Sequence, residues 1–332
     1  MNQTIMYRVP FTVVGGFLGS GKTTLLNHLL SQSSGVRYAV LVNDFGKLKI
    51  DESLISKHSG RTVSLANGCV CCSIANDFIE TMIDLVSRIQ EFDQVVVEAS
   101  GVSEPDRIMD IARIDPELVP NGIVVMVDAA EVKSHLDDPL ISQVVRNQLR
   151  SADILVINKT DLINEELLEG LEKCLTGLSP TAVKLKTSWG IVPLPLIFGG
   201  KDELSYNRAR LIRGVKPEVR SEAPFHAKHG PQLFRSIALQ GKKPLDSEVF
   251  KKWSENLPDS VIRGKGTLRF LSNPNQVWIW QKVGRRSTFD LLKECYPGNS
   301  LKVVLIGTKE MPYCRVMGVP GEMEEVRSEG SY

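Results

Sequence analysis

Long apolar runs are missing from this 332-residue chain. No stretch reaches the roughly 18 residues that a membrane helix needs, so no membrane association is expected. Met1 to Tyr7 lacks the basic-then-apolar order of a secretion leader, and the expected location is cytoplasmic. An excess of charge of either sign is missing too: 40 Lys and Arg face 39 Asp and Glu, for a formal net charge of +1. A near-neutral chain presents no bulk field to a polyanion, which argues against a nucleic-acid partner. Internal repeats are absent. Cysteines are few, six in all, and they do not form the even spacing of a disulfide scaffold. Cys69, Cys71 and Cys72 crowd together, while Cys174, Cys295 and Cys314 are scattered. In a large chain of this kind, crowding points to metal binding or redox work.

What is present is ordinary for a globular protein, with 42% hydrophobic and 24% charged residues. The first 200 or so residues alternate short β-branched runs with helical stretches. Strands are expected at Phe11–Val14, Ala39–Asn43, Val63–Leu65, Gln94–Val97, Ile123–Val127, Ile154–Ile157 and Ala182–Leu185. Helices are expected at Thr24–Leu30, Ile74–Ile89, Ser142–Leu149 and Glu165–Leu175. The strand runs are continuously apolar, as parallel strands buried on both faces require. The fold class is therefore α/β with a mostly parallel sheet. After Phe198 the character changes. Lys201 to Gly230 is polar and interrupted by Pro217 and Pro224. Strands then follow at Leu233–Leu239, Val261–Leu271, Val277–Val283 and Leu301–Ile306, with helices at Ser247–Asn256 and Thr288–Glu294. That β-α-β-β-α-β order is ferredoxin-like. Gly318 to Tyr332, acidic and Gly-containing, is expected to be disordered.

Gly16-Phe17-Leu18-Gly19-Ser20-Gly21-Lys22-Thr23 follows a strand and opens a helix that continues with Thr24. This is the context a phosphate-binding loop requires. Gly16, Gly19, Ser20 and Gly21 let backbone N–H groups turn around phosphate oxygens. Lys22 neutralises β/γ charge, and the Thr23 hydroxyl is a ligand for Mg²⁺. Gln94-Val95-Val96-Val97-Glu98 ends in a carboxylate that can reach Mg²⁺ or its water shell, and Gly101 lets its N–H approach a γ-phosphate. Asn158-Lys159-Thr160-Asp161 follows a further strand. The Asp161 carboxylate can accept from N1 and the exocyclic amine of guanine, a donor pair adenine lacks. Leaving such donors unpaired costs about 1–3 kcal/mol each, so GTP and GDP are the expected nucleotides. Thr187-Ser188-Trp189 is a candidate second base loop.

Asn67-Gly68-Cys69-Val70-Cys71-Cys72-Ser73 precedes a predicted helix, whose positive end favours thiolates. Thiolates select soft or borderline ions, Zn²⁺ first among the abundant ones. Closed structural zinc sites take four protein ligands and this cluster offers three, which suits an ion that is handed on. Buried structural cysteines and a redox switch are the alternatives.

Together these motifs resemble the CobW family of metallochaperone GTPases. The resemblance is carried by Gly16 to Asn27, Asn43-Asp44-Phe45-Gly46 with Ile50-Asp51, Gly68 to Cys72, Glu98 to Gly101 with Glu104-Pro105, Asn158 to Asp161, and Val261 to Gly266. It implies GTP hydrolysis coupled to delivery of Zn²⁺, Co²⁺ or a similar ion, held by Cys69, Cys71 and Cys72, to a client metalloprotein. Asp44 is carried over as a candidate catalytic acid, although the family commonly has Glu there and a second acid where this chain has Lys47. The His-rich run of many members is reduced to His226 and His229; a homodimer is left open. The implied organisation is a P-loop GTPase domain over residues 1–205, a linker over 206–230, a C-terminal α+β domain over 231–309 and a tail over 310–332. Client docking is assigned partly to the C-terminal domain. There, Arg263-Gly264-Lys265 and the strand with Trp278 and Trp280 on one face form either a docking surface or the domain's own core. A redox-gated or regulatory GTPase is the competing reading.

Overall fold

The computed structural model describes residues 8–31, 36–42, 75–199, 234–292 and 301–308, with scattered positions between 310 and 325. Asp44, the strand expected at Val63–Leu65, Cys69, Cys71, Cys72, His226 and His229 lie outside the described residues. The chain divides into two compact units, 1–209 and 210–332.

The first unit is built on six parallel strands: β1 (Val9–Gly16), β2 (Tyr38–Val42), β3 (Gln94–Glu98), β4 (Leu118–Asp128), β5 (Ile154–Asn158) and β6 (Val183–Lys186). Their order across the sheet is β2-β3-β1-β4-β5-β6. The apolar runs of β1, β3 and β5 are buried along their whole length, which is why they lack alternation. Among the described residues seven α-helices accompany them: α1 (Lys22–Ser31), α2 (Ala75–Ser87), α3 (Pro105–Ile114), α4 (Val132–Asp137), α5 (Ser142–Ser151), α6 (Glu165–Leu178) and α7 (Leu194–Phe198). α1 buries Leu25, Leu26, Leu29 and Leu30 on one stripe, each worth about 1.5–3 kcal/mol of transfer free energy. α6 starts where the Asn164 side chain accepts from Leu167 N–H, with Glu165 and Glu166 at the positive end of the dipole.

β4 begins five residues earlier than its apolar run suggests. Its extra turn of chain contains Pro120, and the register against β1 shifts between Phe11 and Thr12. The bulge tolerates the proline, which has no N–H to give to a ladder. The Asn121 side chain turns to donate to Thr12 Oγ1 at 2.9 Å and to Phe198 O at 3.0 Å, tying α7 to the sheet.

The second unit holds β7 (Phe234–Gly241), α8 (Ser247–Glu255), β8 (Val261–Phe270), β9 (Asn273–Val283), β10 (Arg286–Leu292), β11 (Leu301–Thr308) and β12 (Glu324–Glu325). The sheet order is β10-β9-β8-β11-β7-β12, with antiparallel neighbours. β11 lies between β7 and β8, so β7-α8-β8 is a split βαβ unit. Of the helix expected at Thr288–Glu294, the described part, Thr288 to Leu292, is a strand. Gly284, at φ +55°, and Arg285 make a tight turn, and Arg286 to Leu292 pair with β9 at seven positions. A hairpin ladder overrides the weak local helix pattern. The α+β character of the unit stands, with one split βαβ unit among the described residues. Within the tail, Glu324 and Glu325 pair with Gln240 and Leu239, so at these two positions a strand stands where disorder is expected.

The core of this unit settles the tryptophan alternatives. Trp280 is fully buried, meets Phe250 edge-on at 5.3 Å, and donates from Nε1 to Ser254 Oγ at 3.0 Å. Trp278 packs against the same core, and Arg263 is buried as well. A Cβ on Gly264 would run into the Trp280 ring. The Arg-Gly-Lys-Gly segment thus makes room for an indole, and the aromatic face belongs to the core instead of a docking surface.

Candidate functional site

Sheet register brings the chemistry to one edge. Val14 of β1 lies beside Glu98 of β3, Gly16 beside Met126 of β4, and Asp128 of β4 beside Asn158 of β5. Every strand here is parallel, so these tips share the carboxyl edge. The chain leaves β1 toward β2 on one side and later passes to β4 on the other. Ligands of open α/β sheets sit at such a switch point.

The phosphate loop occupies it. Gly16, Gly19 and Gly21 have φ of +130°, +76° and +104°. A side chain at Gly16 would strike Met126 O, and one at Gly21 the Asn158 amide. These two positions need glycine for conformation and for space. Lys22, almost buried, folds its ammonium back to Gly16 O at 2.9 Å and Phe17 O at 3.3 Å. Its positive charge is therefore held inside the Gly-rich loop. Thr23 Oγ1 lies 3.4 Å from Glu98 Oε1, and Glu98 is 5% exposed. Two hard oxygens this close, one of them a buried carboxylate, fit the donor set of Mg²⁺. Thr24, at the next position of α1, is exposed. Gly101 sits against the loop: a Cβ there would lie 2.9 Å from Leu18 N.

Asn158 ties the phosphate and base regions together. Its Nδ2 donates to Ser20 O at 2.9 Å, and its Oδ1 accepts from Gly190 N–H at 2.9 Å. Lys159, at φ +60°, directs its ammonium to Asp128 Oδ2 at 2.6 Å. Thr160 Oγ1 donates to Thr187 O at 3.1 Å and meets Ser188 Oγ at 3.3 Å, which joins the loop after β5 to the loop after β6. Asp161 follows in an exposed turn. Lys159 and Trp189 are the non-glycine residues with positive φ among the described residues, and both sit in these joined loops. Left-handed backbone at bulky residues is costly and concentrates at functional sites.

Asp128, Gln148 and Gly190 escaped the sequence reading. Asp128 ends a strand as Glu98 does, and that position was its only signal. Gln148 and Gly190 carry no motif. Among the described residues, no group of three or more His, Cys, Asp and Glu side chains converges as a metal site. Nor is any described helix long and apolar enough to cross a membrane.

A P-loop at the switch point, a buried acid at the neighbouring strand tip and two joined loops beside them give the layout of a P-loop GTPase. The CobW/HypB/UreG nucleotide-binding domain matches residues 10–185, more than half of the chain, and the cobalamin synthesis protein CobW C-terminal domain matches residues 234–312. The chain belongs to the CobW/HypB/UreG family. It is 31% identical to the zinc chaperone CobW of Sinorhizobium sp over 339 residues, covering 92% of this chain and 94% of that protein. It is 33% identical over 225 residues to the zinc chaperone CobW of Pseudomonas aeruginosa, covering 58% of this chain and 60% of that relative's length. It is 29% identical over 298 residues to the zinc chaperone YjiA of Escherichia coli, covering 86% and 89%. The crystal structure of the Zn(II)-bound YjiA GTPase from E. coli aligns at TM-score 0.45 with 22% identity, over 95% of this chain and 99% of that one.

Proposed function

We propose that this chain is a GTP-driven metallochaperone that carries Zn²⁺ or Co²⁺ on Cys69, Cys71 and Cys72 and releases it to a client metalloprotein. The observation that carries the nucleotide half is the register of the carboxyl edge, which lines up Glu98, the phosphate loop, Asp128 and Asn158. The metal half rests on the three crowded thiols and on similarity to proteins named zinc chaperones.

In this reading Lys22 neutralises the β- and γ-phosphate oxygens as charge builds on them. Thr23 and Glu98 would hold Mg²⁺, which would supply further neutralisation of phosphate charge. Glu98 also accepts from and so orients the attacking water, and the Gly101 N–H donates to the γ-phosphate. Asp161 accepts from guanine, and the joined loops that carry Lys159 and Trp189 flank the base. Asp44, in the Asn43–Gly46 segment, is read as a further candidate catalytic acid that senses the γ-phosphate. The second unit serves client docking, through surfaces other than its aromatic core.

The cysteine segment lies in sequence between the Asn43–Gly46 segment and β3. If the γ-phosphate draws those flanks inward, metal affinity differs between the GTP and GDP states. By linkage, bound metal then changes nucleotide affinity by the same factor, typically about 5–150-fold. Zn²⁺ and Co²⁺ titrations of reduced protein, with a non-hydrolysable GTP analogue and then with GDP, test this, with Cys71→Ser as the control. Equal affinity in both states overturns the delivery mechanism. Absence of stoichiometric metal, together with activity that follows thiol oxidation, would favour a redox-gated GTPase.

A further inference from the structure

α5 touches the turn after β3 through two successive side chains. Gln148, 1% exposed, donates from Nε2 to Gly101 O at 3.0 Å and to Ser103 O at 2.9 Å. Asn147 donates from Nδ2 to Glu104 Oε1 at 3.0 Å, while Arg107 Nε donates to Glu104 Oε2 at 2.6 Å. Within the turn, Ser103 N–H donates to Ser100 O at 3.0 Å. Both peptide groups flanking Gly101 are therefore fixed, one by Ser103 and the other by Gln148. A trans peptide points its N–H opposite to its carbonyl. Ser100 O turned toward Ser103 sets the direction of the Gly101 N–H, and Gln148, by holding Gly101 O and Ser103 O, holds the turn on which that bond depends.

The turn is also seated on the phosphate loop. A Cβ at Gly101 would lie 2.7 Å from Leu18 Cγ and 2.9 Å from Leu18 N. Rotation of the Gly101 carbonyl away from α5 would leave that buried carbonyl without the Gln148 donor, and an unsatisfied buried carbonyl is costly.

We infer that Gln148 is a positioning residue for GTP hydrolysis: its amide clamps the Gly101–Ser103 turn so that the Gly101 N–H is preorganised toward the γ-phosphate. A donor held in place needs no reorganisation at the moment of reaction, which is where most electrostatic catalysis originates. The inference rests on the GTPase assignment and on the γ-phosphate role given to Gly101. GDP lacks the γ-phosphate, so its binding does not call on the clamp.

The test compares wild type, Gln148→Met, which keeps length and volume without the donors, and Gln148→Glu, which places a carboxylate against two carbonyls. Affinities for GDP and for a non-hydrolysable GTP analogue are measured by competition, alongside single-turnover GTP hydrolysis. The expected result is GDP affinity within about twofold of wild type, with analogue affinity and hydrolysis reduced about tenfold in Gln148→Met and more in Gln148→Glu. Equal losses for GDP and analogue, or wild-type hydrolysis and analogue affinity in a folded Gln148→Met, overturn the clamp. If Gln148→Met does not fold, Gln148→Glu is read by the same criteria. If both fail, the amide ¹⁵N–¹H signal of Gly101 in the wild-type chain decides. A signal that shifts with the analogue and not with GDP supports the clamp, and one insensitive to both overturns it. Failure of the GTPase assignment is distinguishable, because the wild type itself would then not hydrolyse GTP.

Discussion

The two sheets of this molecule place their buried polar groups in different ways. In the first unit all strands run in one direction, so their carboxyl ends share an edge, and Glu98, Asp128 and Asn158 are strand-end residues on it. In the second unit neighbouring strands alternate in direction and their ends are split between two edges. There the buried Ser254 serves packing, accepting the Trp280 N–H. A parallel sheet collects chemistry at its tips, whereas this antiparallel sheet uses one face to bury aromatics. The contrast bears on the proposed division of labour, since the strand-end polar groups proposed for turnover collect in the first unit.

The strongest challenge to that division is Trp280→Ala. Removing a fully buried indole that packs on Phe250 and Trp253 should cost about 3–5 kcal/mol. The loss should appear in denaturant unfolding followed at Trp253 and Trp278, while GTP turnover in the folded protein stays within about twofold. Loss of turnover in folded protein would mean that the two units are not independent. The converse variant is Lys22→Ala, which removes the cation from the phosphate loop. Hydrolysis should fall by about 10²–10³ or more, with the unfolding of the second unit unchanged. Single-turnover hydrolysis and tryptophan-detected unfolding report the two effects separately.

The two halves of the first site differed in how readable they were. The phosphate loop was legible because its glycines answer local demands: Gly16 and Gly21 need positive φ and space, and a strand and a helix flank them. Most of the sheet was legible for a similar reason, since doubly buried strands show as continuous apolar runs. The clamp of Gln148 on Gly101 was not legible, because it depends on α5 lying beside a turn 47 positions away. α3 was missed although Ile108, Met109 and Ala112 form its buried stripe; Pro105 reads as a loop breaker unless it is recognised as the first helical residue. β10 was misread as a helix because a partner strand decides its conformation, and no window within Arg286 to Leu292 contains that partner.

Asp161→Asn sharpens the comparison inside the first unit. An amide cannot accept from both guanine donors, so preference for GTP over ATP should shrink by about 1–3 kcal/mol. Competition of each nucleotide against a fluorescent GTP analogue measures it. Phosphate-loop function, read as hydrolysis at saturating GTP, should be largely retained. A variant with unchanged preference would assign base selection to the Thr187–Gly190 loop alone.

Alkaline titration gives the smallest effect, and the two units should respond with opposite sign. Burial pushes the Tyr38 phenol up to about 12, with the nearby Asp93 carboxylate adding to the shift. In the unfolded chain that phenol ionises near 10. The folded first unit therefore holds the proton more tightly, and this contribution is present below pH 10 and is lost as pH rises toward 12. In the second unit, burial lowers the Lys282 pKa. Arg285 lowers it further, and Asp259 partly opposes the shift. There the unfolded state binds the proton more tightly, so stability rises with pH through the window just below the ordinary lysine value. Tyr38→Phe should make the first unit's stability fall less steeply above pH 10, and Lys282→Met should remove the gain in the second. The four tryptophans allow the separation, because Trp189 reports on the first unit while Trp253, Trp278 and Trp280 report on the second. Denaturant midpoints in the wild type and in Trp189→Phe, followed between pH 8 and pH 11, should diverge between the units. Parallel slopes in both would show that the two sheets unfold as one body and would remove the basis for treating them separately.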